Sequence, residues 1–146
     1  MKHIFYLVAI AFIVYEMIWI LNPKEQVDKS KKFREESKKN KGKKWDEMTE
    51  EYKDLLKGKG LVSLLFTLWM VAGLLTFNWL PFLAKLVFNF VIIAPISKLT
   101  KYSIGYTVLH WLNSIVGFAF GVFVVVNSYH LKINVYEWFM QWLNAL

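Results

Sequence analysis

The chain has 146 residues, 56% of them hydrophobic and 18% aromatic, with seven tryptophans, a formal net charge of +7 and no cysteine. A water-soluble core of this size cannot hide so much apolar surface, so the composition points to an all-α integral membrane protein forming a single domain, 1–146. The lack of cysteine excludes disulfides, thiolate metal sites and thiol redox chemistry together.

The first apolar run, residues 4–22, contains Glu16 as its only charge. Its lysine-then-apolar start resembles a secretory signal. The run is longer than a signal core, carries a carboxylate and is followed by no small-x-small cleavage site, so it is read as a retained transmembrane helix. Asn22-Pro23-Lys24-Glu25 then reads as a helix stop and restart, with Asn22 as N-cap, Pro23 at the first helical position and Glu25 as the capping-box acid.

Residues 23–60 form a polar insertion holding thirteen of the eighteen Lys and Arg and nine of the eleven acids. A solvated helix is expected up to a break at Asn40-Lys41-Gly42. A second helix is expected from Lys44, with Trp45, Met48, Tyr52, Leu55 and Leu56 on one face. Gly58-Lys59-Gly60 is expected to end it. Acids interleaved with lysines along the chain argue against a phosphate-tracking face, so no nucleic acid is expected here. Anionic lipid headgroups or a partner protein suit this arm better.

Leu61 to Ser97 is thirty-seven residues with a single charge, Lys85. As one helix it would be ~55 Å long, against a hydrocarbon core of ~30 Å, so it must fold back. Asn78 and Pro81 mark the bend, giving a tight helical hairpin with spans 61–77 and 82–99. Lys85 lies close enough to the interface to snorkel out. The last span, 104–128, contains Gly117 and Gly121 at one-turn spacing, a groove where another helix can approach closely. Residues 134–146 place Val135, Trp138, Phe139, Trp142 and Leu143 opposite Glu137, Gln141 and Asn144, the pattern of an amphipathic helix in the membrane interface. The bilayer is thus one partner, and the same face could dock another subunit.

Fifteen of the eighteen basic residues fall in the 23–60 insertion and the Lys98–Lys101 turn. Positive-inside asymmetry then puts that side in the cytoplasm and both termini outside, as in a bacterial inner membrane. Helix rise counted from each cytoplasmic end sets Glu16 and His110 at similar depth, with Asn113 below His110, so these three could form an intramembrane polar cluster. A relay for protons or ions is one reading; a polar clasp fixing helix register is the preferred one. His3 and His130 at the opposite face lack any supporting pattern for haem, and no cofactor, metal or catalytic residue is expected. The chain offers faces rather than chemistry. The expectation is a non-catalytic accessory subunit of a larger membrane complex, with an ion-coupled membrane protein using Glu16 as the alternative.

Overall fold

A computed structural model describes residues 2–101 and 103–146; these are all helix, turn and loop, with no strand. Among the described residues, four helical stretches are long and apolar enough to cross a membrane: His3–Leu21, Glu50–Leu74, Trp79–Leu99 and Ile104–Leu131.

Helix α1 spans Lys2–Leu21, and α2, Pro23–Lys39, follows after a single non-helical residue. Asn22 holds the N-cap position of α2 without a capping side-chain bond, Pro23 stands in its first turn, and Glu25 pairs with Lys29 at 2.8 Å rather than closing a capping box. α2 stops at Asn40. That side chain is 2% exposed, donates to the Glu36 carbonyl at 2.8 Å and accepts from the Thr49 amide at 3.1 Å, so it stitches the end of α2 to the start of α3. Gly42 makes the turn at φ +81°, a conformation that a Cβ disfavours.

The expected helix from Lys44 is displaced. Trp45–Glu47 form one 3₁₀ turn, and α3 begins only at Glu50, where the Thr49 hydroxyl accepts from the Tyr52 amide. α3 then runs to Leu74, straight through Gly58-Lys59-Gly60, which were expected to break it. Each helical glycine costs about 1 kcal/mol relative to alanine, too little to interrupt a helix with good formers on both sides. α2 lies antiparallel on the first part of α3. Phe33 packs on Tyr52 at 5.8 Å, Lys59 sits 4.0 Å over the Phe33 ring, and Lys32 pairs with Glu51. The polar insertion is therefore a helical hairpin built onto an extension of α3.

The second part of α3 enters the bundle. Residues 75–78 turn the chain, with Thr76 donating to the Gly73 carbonyl at 2.7 Å, and α4 starts at Trp79 with Pro81 in its first turn. A Cβ at Gly73 would run into the Phe82 ring, so glycine there permits the close approach of α3 and α4. α4 (Trp79–Phe88) passes through a π-turn, Asn89–Ile93, into α5 (Ala94–Leu99). The wider turn precedes Pro95, which lacks an amide for the regular ladder. α6 (Ile104–Val126), capped by Ser103, continues into a second π-turn at Asn127–Leu131. Lys132 closes it in the left-handed region at φ 53°, and α7 spans Val135–Asn144.

The core is aromatic. Trp69 of α3 is 2% exposed and packs on Phe12 at 4.8 Å, Phe82 at 4.9 Å and Phe5 at 5.9 Å, with Ala9 and Val124 completing the buried set. α1 and α6 share the most extensive interface, so the first and last of the four long helices are neighbours.

Candidate functional site

Two polar sites stand out among the described residues of the bundle. The first lies between α1, α4 and α6. Glu16 is 6% exposed, and a Cβ built on Gly117 would meet its carboxyl oxygen at 2.7 Å, so the carboxyl rests directly on the α6 backbone. Ser114 lies within hydrogen-bonding reach of it, and the Lys85 ammonium is near enough for its charge to act on Glu16. Lys85 donates to Asn113 Oδ1 at 2.8 Å and to Asn89 Oδ1 at 2.9 Å. Asn89 is also the first residue of the π-turn, whose backbone carbonyl receives the Ala94 amide.

The structure divides the Glu16, His110 and Asn113 group. Asn113 joins the site through Lys85. His110 instead stands 3.1 Å from the Ser97 hydroxyl, between the rings of Tyr106 at 4.3 Å and Trp19 at 5.7 Å. The equal-depth count fails because the two helix ends are not level. Trp111, seven residues into α6, donates to the carbonyl of Ile20 at the very end of α1, so α6 begins ~10 Å beyond it. Glu16 consequently faces Ser114 and Gly117, one to two turns past His110. Lys85 was expected to snorkel to the interface and does not. Two amide oxygens satisfy an ammonium that would otherwise have to stretch past its own helix end. The Lys85–Asn89 spacing of one turn was the only trace of this in the sequence.

The second polar site closes the far end of the bundle. Asn78 and Asn127 are fully buried. Asn127 Nδ2 donates to Asn78 Oδ1 at 2.5 Å and to the Ile133 carbonyl at 2.9 Å, while its own Oδ1 accepts the Ile133 amide at 2.8 Å. Asn78 donates on to Ser128 at 2.9 Å. One side chain thus ties the α3–α4 turn, the end of α6 and the lead into α7. Asparagines at both ends of apolar runs were visible in the sequence, but nothing local paired residues 49 positions apart.

Gly117 and Gly121 lie against α1, Gly121 meeting Ile13 and Phe12, so this groove is filled by the chain's own first helix and is not open to another protein. On the polar hairpin Tyr52 is buried, Leu55 and Leu56 are half-buried, Met48 is half-buried outside the helix, and Trp45 is 51% exposed. On α7, Trp138, Phe139 and Trp142 remain exposed, with Tyr136 against Trp79 at 5.4 Å. Among the described residues no three His, Asp or Glu side chains converge to hold a metal ion.

No protein-family model, curated protein or solved structure matches this chain.

Proposed function

We propose that the chain is a non-catalytic accessory subunit that anchors or stabilises a larger complex in a membrane. One observation carries this reading. Among the described residues every buried side-chain polar atom has a hydrogen-bond partner, so the Glu16–Lys85 and Asn78–Asn127 sites are spent on holding helices together rather than aimed at a substrate. In this reading the bilayer covers the exposed apolar belt, and α7 lies in the interface with Trp138 and Trp142 toward lipid or a neighbouring subunit.

The orientation follows from the basic residues. The α2–α3 hairpin and the Lys98–Lys101 turn face the cytoplasm of a bacterial inner membrane, and both termini face away. Cysteine placed at Ser37 is expected to react with an impermeant reagent only from the cytoplasmic side, and cysteine at Asn144 only from the other. Reversed accessibility at Asn144 would overturn the topology.

Affinity purification in mild detergent from the native host tests the function. Larger membrane proteins recovered at stoichiometric amounts are the expected outcome. A lone or purely homo-oligomeric protein that conducts ions in liposomes would replace this reading with an ion-coupled one centred on Glu16.

A further inference from the structure

The net charge of the protein is concentrated at one point. Residues 38–44, the tip of the α2–α3 hairpin, carry five lysines and no acid, whereas residues 24–37 and 45–59 carry eight bases against nine acids. Ion pairing sharpens that segregation. Four of the nine shaft acids are held by shaft lysines, in the pairs Glu25–Lys29, Glu51–Lys32, Glu50–Lys53 and Asp54–Lys57, while Asp28, Glu35, Asp46 and Glu47 join no ion pair among the described residues and Glu47 accepts from the Lys44 amide. Of the tip lysines only Lys39 joins an ion pair, with Glu36. Lys38, Lys41, Lys43 and Lys44 are exposed and without an acid at ion-pair distance. The interleaving that argued against a polyanion along the chain is absent at the tip.

The hairpin also holds its tip away from the bundle. α3 is one helix from Glu50 to Leu74, and Asn40 is bonded to Thr49, so the tip stands level with the α3 N-terminus. Thr49 is twelve residues from Leu61, where the apolar run begins, so the tip lies ~18 Å beyond it. The headgroup layer takes up only ~5–7 Å of that distance. What remains exceeds the ~8 Å Debye length at physiological ionic strength, so the tip is out of reach of its own bilayer's charge.

The residue types indicate the occupant. Lysine is depleted at protein–protein interfaces, where arginine and desolvated aromatic anchors dominate. A hydrated ammonium loses little against a phosphodiester chain, because the gain there comes from counterion release. Trp45, adjoining Lys44 and 51% exposed, offers a ring on which an unpaired base can stack. The geometry points to the lysine tip, with Trp45, as a docking site for a single-stranded nucleic acid on the hairpin's side of the membrane. This site is independent of the accessory reading.

The test uses the full chain in nonionic detergent and fluorescence anisotropy of labelled oligouridine and oligothymidine, which separate RNA from DNA. Phosphate contacts from the four lysines without an acid, Lys38, Lys41, Lys43 and Lys44, predict that log affinity falls with log salt at a slope of about −2.8, roughly a fiftyfold loss between 50 and 200 mM. The triple variant Lys41→Gln, Lys43→Gln, Lys44→Gln changes only exposed side chains. It should reduce the slope to about −0.7, or roughly a threefold loss over that range. Trp45→Ala should weaken binding while leaving the slope unchanged, as stacking requires. No binding at 50 mM salt, or a slope indifferent to the triple variant, would overturn the proposal. So would tip-dependent binding of a poly-glutamate peptide as tight as that of the oligonucleotides, which would identify an acidic protein surface as the occupant.

Discussion

Removing Glu16 or Lys85 leaves polar partners unsatisfied inside an apolar bundle, Ser114 for the carboxyl, Asn113 and Asn89 for the ammonium. The loss expected from leaving a buried polar group unsatisfied is about 1–3 kcal/mol. Glu16→Leu and Lys85→Met should therefore each sharply lower the monodisperse fraction recovered by size-exclusion chromatography in mild detergent. Glu16→Gln keeps a polar side chain able to bond Ser114 and should retain most of the assembled protein. A Gln variant that assembles fully but loses the activity of the proposed complex would show a relay rather than a clasp. Sequence reasoning found Glu16, Asn113 and the two glycines as residues of interest. It did not find Lys85, because a lysine near a helix end is read as snorkelling, and only the tertiary approach of Asn113 turns it inward.

At the scale of elements, the continuity of α3 decides how the hairpin is presented. A Cβ at Gly58 or Gly60 meets no atom within 4 Å, so nothing but helix propensity is at stake there. Alanine at either position should stabilise α3 by about 0.5–1 kcal/mol. Slower amide hydrogen exchange across residues 50–60 is the expected readout, and faster exchange would restore a break at the glycines. The hairpin should also respond to pH. The hydrogen bond and charge of Lys32 hold Glu51 below its ordinary value near 4.5, and Glu51 holds Lys32 above its ordinary value near 10.5. A lowered acid contributes fully above its ordinary value and loses its contribution as pH falls through the lowered one. A raised base contributes fully below its ordinary value and loses that contribution as pH rises through the raised one. The bridge is therefore intact between about pH 4.5 and 10.5 and weakens outside that window, modestly because both groups are solvated. Amide protection factors in α2 that fall as pH drops below about 4.5 in the wild type, but not in Glu51→Gln, are the expected result.

Across the whole molecule, the four apolar stretches and the bend near Pro81 were legible because apolar length and a proline act locally. Boundaries were less so. The span expected at 61–77 proved to be the second part of a helix that starts at Glu50, since two glycines were weighed as breakers when the helix on either side outweighs them. The antiparallel register of α1 on α6 was not legible either. It is set by Gly117 receiving Glu16 and Gly121 receiving Ile13, contacts about 100 residues apart that no window of sequence displays.

That pairing of first helix with last has a consequence for biosynthesis. α1 leaves the ribosome with Glu16 already in its apolar stretch, and Ser114 and Gly117 follow about 100 residues later. At ~5–20 residues per second the carboxyl waits roughly 5–20 s for the groove that receives it, with Lys85 arriving before α6 does. If the chain spans a membrane as proposed, the nascent chain carries an unhoused acid in the lipid phase during that interval, and an insertion factor that shelters polar helices would be the natural host for it. Ribosome-stalled chains ending before Ser103 should therefore crosslink through position 16 to such a factor, and chains stalled far enough on for all of α6 to have left the ribosome should release it.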